Sequence, residues 1–215
     1  MRDTIKVLGL AILLLSVGAA NANSKANMLS DTCVVCHGDK GASLGPAIPN
    51  LAGMSRNYLV GAMLAFKYDD NQLRDIIQSD KDFEDVEAFS RESTVMDRIA
   101  KGYTNDEIKI IADYFSAQKL FIGQQDVVLS RVKTGKQLHQ KYCMSCHEDE
   151  GKSSDGDTGV LAGQWKPYFL WTMSDYLNGS RQMPKKMKNK LKKMIATSGT
   201  ESLQQLSDYY ASITP

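Results

Sequence analysis

Cys33-Val34-Val35-Cys36-His37 and Cys143-Met144-Ser145-Cys146-His147 decide how this chain is organised. Both read Cys-x-x-Cys-His, and they lie 110 residues apart. The same offset carries Gly41 to Gly151, Leu51-Ala52-Gly53 to Leu161-Ala162-Gly163, Tyr58 to Tyr168 and Met63 to Met173, without a gap. Toward the end of each half the offset falls to 95, which pairs Ile108, Ile111, Tyr114 and Phe115 with Leu203, Leu206, Tyr209 and Tyr210. Self-similarity of this kind marks one module used twice. A chain of 215 residues has room for two small domains.

Working outward from the motifs, the periodicity is helical throughout. Residues before each motif are helix-friendly, as in Thr134 to Tyr142, and Leu59, Met63 and Phe66 stand at helical spacing. Thr104-Asn105-Asp106-Glu107 has the form of a capping box, and Ile108, Ile111 and Phe115 follow it as one stripe. Thr200 opens the matching helix of the second module. Strand-like alternation is absent, so the expected fold class is all-α. The expected modules are 23–121 and 132–215, joined by a linker, 122–131, where Ile122-Gly123-Gln124-Gln125-Asp126 breaks the pattern.

The ends and the charge narrow the setting. Arg2 and Lys6 precede an apolar run from Val7 to Val17, and Ala20-Asn21-Ala22 has the small-x-small form of a cleavage site. Residues 1–22 are therefore expected to be a signal peptide cut after Ala22, so the mature chain is expected to be exported. No later window is long enough to span a bilayer. The formal net charge is +1 for the whole chain, so no global field points to nucleic acid. Two stretches fall outside the repeat. Asp69 to Glu92 carries nine acidic against three basic residues, and Arg181 to Lys193 carries seven basic residues and no acidic one. Each reads most simply as a solvated face, and otherwise as a docking surface.

The motif itself has a specific chemistry. Two thiols separated by two residues can add across neighbouring haem vinyl groups, and the following His then lies under the iron. All four cysteines of the chain are in the two motifs, so none remains for a disulfide. Zinc held by Cys and His, or a redox dithiol, explains the pair less well, because the chain is exported and lacks a strand-helix-strand context. Two covalent haem c groups are expected, attached at Cys33 and Cys36 and at Cys143 and Cys146, with His37 and His147 as proximal ligands. His139 lies one turn before Cys143 on the proximal side and is read as a surface or packing residue. Methionine is then the available distal donor. Met63 and Met173 fall in helical stripes and read as packing, and Met54 follows the Leu-Ala-Gly turn too closely. Met96, after the irregular Ser93-Thr94-Val95, is the candidate in the first module. In the second, Met183 and Met187 compete, with Met183 preferred because it sits beside Pro184 on the looser segment.

With these residues in view, the chain resembles the diheme cytochrome subunits of flavocytochrome c sulfide dehydrogenases. The resemblance is carried by Ser93-Thr94-Val95-Met96-Asp97-Arg98-Ile99-Ala100-Lys101-Gly102-Tyr103, by Leu138 to Cys143, by Leu161-Ala162-Gly163-Gln164-Trp165-Lys166-Pro167-Tyr168, by Met173-Ser174-Asp175-Tyr176, by Arg181 to Met187 and by Tyr209-Tyr210-Ala211-Ser212. It implies two tandem class I cytochrome c domains. It also implies a separate flavoprotein subunit that holds FAD and oxidises sulfide, with electrons leaving through the two haems to a soluble acceptor. The chain itself would then be no enzyme. The acidic stretch 69–92 is about twenty residues longer than the family pattern. The competing readings are a free diheme carrier serving a terminal oxidase and, from another class, a diheme peroxidase, which the supply of distal methionines opposes.

Overall fold

A computed structural model describes residues 24–214; the expected signal peptide, 1–22, lies outside them. Among the described residues there are helices and short 3-10 turns but no strand, and a single antiparallel bridge joins Arg91 to Arg181. The helices are α1 (24–37), α2 (Arg56–Lys67), α3 (Asp70–Ser79), α4 (Met96–Lys101), α5 (Asn105–Ser116), α6 (Leu129–Leu138), α7 (Lys166–Asn178), α8 (Lys185–Ser198) and α9 (Glu201–Ala211).

Local chemistry accounts for most of the helix starts. The Thr104 hydroxyl accepts from Glu107 N, and the Glu107 carboxylate accepts from Thr104 N, which completes the expected capping box of α5. The stripe behind it, Ile108, Ile111 and Phe115, is buried. Ser55 caps α2, whose buried face is Leu59, Val60, Leu64 and Ala65 rather than the sparser Leu59, Met63, Phe66 stripe. Thr200 precedes α9 but its side chain makes no cap bond. α6 begins at Leu129, inside the stretch expected to be a linker, and continues through a π-turn, His139–Cys143, into the second Cys-x-x-Cys-His motif.

Two hydrophobic clusters form the interior. One gathers Leu29, Leu59, Leu64, Ile108, Ile111 and Phe115, and the other Leu138, Phe169, Met173, Leu206, Tyr209 and Tyr210. α2 packs on α4 and α5 in the first, and α6 packs on α9 in the second. The repeat is visible atom by atom. Leu51 N donates to Gly41 O and Leu161 N to Gly151 O, both at 2.8 Å. Gly53 N donates to Phe115 O and Gly163 N to Tyr210 O, both at 3.0 Å. Gly41 and Gly151 need φ of 84° and 87°, which a side chain would strain.

The acidic stretch 69–92 is more than a solvated face. Asp69 and Gln72 form a capping box on α3, and Leu73, Phe83 and Val86 are buried in the first cluster. Lys109 ties the stretch to α5 by ion pairs to Asp80 at 3.0 Å and Asp82 at 2.8 Å. Its far end reaches the second half, where Gln182 N donates to Ser90 O at 2.9 Å.

Candidate functional site

The site builds up twice, once at the end of α1 and once at the end of the π-turn. In both, helical i→i−4 bonds run through the motif. Gly38 N donates to Val34 O, and His147 N to Cys143 O. All four thiols are unpaired; Cys33 and Cys143 are half-buried, Cys36 and Cys146 exposed. Burial pushes the Cys33 and Cys143 thiols up, so they remain protonated at neutral pH.

The two histidines have equivalent anchors. His37 Nδ1 lies 2.9 Å from Pro49 O, and His147 Nδ1 lies 3.0 Å from Gly159 O, the position 110 residues on. A carbonyl can only accept, so Nδ1 must carry the proton. Burial holds both rings below the ordinary imidazole pKa, so they are neutral. A neutral ring protonated at Nδ1 leaves the Nε2 lone pair free to bind a metal. Two unpaired thiols and an Nε2 donor at fixed spacing are what covalent haem attachment requires, and both halves supply them. Apolar side chains left exposed stand beside the same residues in sequence. They are Val35 within the first motif and Leu44 after it, Met144 within the second, and Val95 and Ile99 on either side of Met96. A flat apolar macrocycle would cover side chains of this kind.

The methionines divide as follows. Met54 and Met173 are buried in the clusters, and Met63 packs against the first. Met96 is the first residue of α4, half-buried, with its N–H donated to Ser93 Oγ at 3.1 Å. Met183 precedes α8, and Met187 is its third residue. Both are half-buried against the second cluster, so the two remain competitors by burial. Met187 shares with Met96 a place in the first turn of a helix; Met183 shares with it an irregular approach. His139 is a buried packing residue, its Nδ1 3.0 Å from the Tyr210 hydroxyl and its ring against Tyr209.

A set of residues between the halves escaped the sequence reading. The Arg91–Arg181 bridge joins the segment before Met96 to the one before Met183. Arg91 lies over the Phe66 ring at 4.3 Å and Arg181 over Tyr176 at 4.7 Å, and Phe66 and Tyr176 are themselves 110 apart. Arg181 also donates to the Tyr58 hydroxyl at 3.2 Å. Burial would raise the Tyr168 phenol, but the charges of Arg91 and Arg181 win and bring it down to about 8. Neither guanidinium has a carboxylate partner among the described residues, which leaves two cations facing the junction. Haem carboxylates are groups of the charge this arrangement lacks. The recoverable signal was the pairing of Tyr58 with Tyr168 and the surplus of tyrosine over phenylalanine; the arginines fall at another offset, 90, and gave none.

The family described as "Cytochrome C oxidase, cbb3-type, subunit III" matches residues 130–196. Cytochrome c-552 of Acidithiobacillus ferridurans is 29% identical over 175 residues, 77% of this chain and 68% of that protein. Cytochrome c-554(548) of Halomonas halodenitrificans is 31% identical over 88 residues, 41% of this chain and 86% of the relative. The cytochrome subunit of sulfide dehydrogenase from Chlorobaculum tepidum is 38% identical over 92 residues, 43% of this chain and 64% of the relative. Among solved structures, reduced recombinant cytochrome c4 from Pseudomonas stutzeri superposes with a TM-score of 0.67 at 24% identity, covering 90% of this chain and 98% of that one.

Proposed function

From the premise that this chain belongs to the c-type cytochromes, folded all-α as two tandem class I cytochrome c domains, we propose that it is the diheme electron-transfer subunit of a flavoprotein sulfide dehydrogenase. The observation that carries the diheme reading is the twofold recurrence of paired free thiols and an Nδ1-anchored histidine. In this reading residues 23–121 and 132–215 each hold one haem c. Cys33, Cys36, Cys143 and Cys146 would hold it covalently; His37 and His147 would ligate the iron through nitrogen, and Met96 and Met183, with Met187 as its rival, through sulfur. Haem c supplies a one-electron couple when bound. Pro49 and Gly159 fix the imidazoles, and Arg91 and Arg181 provide charge for the carboxylates. Bond chemistry on the sulfur substrate falls to the FAD-bearing partner, and electrons pass outward to a soluble acceptor. The leader 1–22 directs export to the periplasm, and no described helix is long and apolar enough to cross a membrane.

The sulfide dehydrogenase reading is supported by the resemblance along both halves and by the Chlorobaculum relative. The coverage by cytochrome c-552 and the c4 fold favours a second reading, a free diheme carrier. Purification of the native protein from its source separates them. A complex retaining flavin and two haems, whose haems are reduced by added sulfide, is expected. A flavin-free protein at low salt, unreduced when the candidate flavoprotein and sulfide are supplied, would replace the first reading with the second. Acid-acetone extraction should leave the colour with the protein; a colourless product would end both readings.

A further inference from the structure

The carbonyl that anchors His147 belongs to the second half but sits on a loop packed against the first. Gly159 O accepts from His147 Nδ1, and the loop around it is embedded in the first half. Ser55 Oγ, from the start of α2, donates to Gly156 O, and Val160 is buried in the first hydrophobic cluster. The Tyr58 ring lies against Gly159 itself. A Cβ there would stand 3.0 Å from Cε2, 3.1 Å from Cζ and 3.4 Å from Cδ2 of that ring. Tyr58 is in turn fixed by α2 and by the 3.2 Å bond its hydroxyl accepts from Arg181. The other anchor is clamped reciprocally by polar groups. Pro49 O holds His37, and the adjoining Asn50 exchanges hydrogen bonds with Gln164, N to Oε1 at 2.9 Å and Nε2 to O at 3.2 Å.

We propose that Tyr58, a residue of the first half, is the positioning residue for His147 in the second, its ring pressing the Gly159 carbonyl onto Nδ1 and so tuning the second haem from across the junction. This rests on the diheme reading above. The bond from the far nitrogen of a ligating histidine sets both the orientation of the ring and its basicity, and a stronger bond makes the imidazole a better donor to the oxidised metal. A carbonyl free to tilt away weakens that bond. A contact made by the first half therefore reaches the axial ligand of the second through one peptide group.

Spectropotentiometry of the full diheme protein tests the proposal. Cys36→Ala assigns the two reductive transitions, because it disturbs the first haem alone. Tyr58→Ala should move the midpoint of the second haem and leave the first, in its own half, unmoved. Tyr58→Phe, which keeps the ring and loses the hydroxyl, should restore the second midpoint. Gly159→Ala places a methyl against the ring and should also shift the second haem, and in the Tyr58→Ala background that shift should vanish. A shift in the first haem, in both, or in neither overturns the proposal. So does a Tyr58→Phe variant that behaves like Tyr58→Ala, because the bond to Arg181 would then be the cause. If Tyr58→Ala does not fold, an unshifted second midpoint in Gly159→Ala alone overturns it. A preparation without covalent haem would refute the diheme reading itself, whereas two haems with unmoved midpoints refute only the clamp.

Discussion

Gly135→Ala should destabilise the second half sharply, although in an ordinary helix it would stabilise. Gly135 lies inside α6, where alanine is worth about 1 kcal/mol over glycine. Here α6 crosses α9 so closely that a Cβ on Gly135 would stand 2.0 Å from Gln205 O and 2.6 Å from Tyr209 Cβ. The first obstacle is main chain, which cannot swing aside as a side-chain tip can. Reaching ordinary contact near 3.4 Å requires the helices to separate by about 1.4 Å at that point. Leu138, Leu206, Tyr209 and Tyr210, all buried along this crossing, would lose contact together. Overpacking of this kind costs about 1–3 kcal/mol, and partial exposure of the apolar neighbours adds to it. The propensity gain offsets about 1 kcal/mol of this, so a net loss of about 2 kcal/mol is expected. For a chain of this size that lowers Tm by roughly 4–8 °C. Thermal melting followed by far-UV circular dichroism measures it, with Gly102→Ala as control. A Cβ on Gly102 meets only Ile99 O at 3.3 Å, and its effect should stay within about 0.5 kcal/mol. An unchanged or raised Tm for Gly135→Ala would refute the close crossing.

Asp208→Ala should also weaken the second half. Its fully buried carboxylate accepts from Val128 N at 3.1 Å and is bonded by Lys166, while Arg131, 3.7 Å away, keeps Glu201; its loss leaves Val128 N and Lys166 without their acceptor and should cost about 2–3 kcal/mol in urea unfolding. Met96→Ala and Met183→Ala should each remove about half of the near-infrared sulfur-to-iron band of the oxidised protein; if Met187→Ala does so in place of Met183→Ala, the distal donor of the second half is Met187. His139 is held below its usual pKa mainly by burial, so the unfolded chain takes up a proton that the folded chain refuses. Its contribution is complete above about pH 6.5 and is lost as the pH falls through the lower folded value, so urea midpoints should drop as the pH falls below about 6.5, and less steeply in His139→Gln.

The haem-binding reading needed only the sequence, because thioether attachment is a local matter. Two thiols and an imidazole must be close along the chain, so Cys33-Val34-Val35-Cys36-His37 and its copy announce the chemistry wherever they fold. The capping box Thr104–Glu107 and the stripe behind it were legible for the same reason, since a helix start is decided within four residues. Pro49 and Gly159 also stand 110 apart, but a proline and a glycine share no signal, and nothing local showed that their carbonyls anchor the histidines. Contacts between residues far apart in the chain are different in kind. Arg91 and Arg181 meet only because two loops leave their helices toward a shared junction, and Tyr58 reaches Gly159 only because the second half is laid against the first. The acidic stretch was charged enough to look solvated, and its three buried apolar residues, Leu73, Phe83 and Val86, were too few to show a period. Composition and spacing determined which groups can be bound. Tertiary packing decided how each half braces the carbonyl that anchors the other's histidine, because that depends on surfaces meeting and no single segment encodes it.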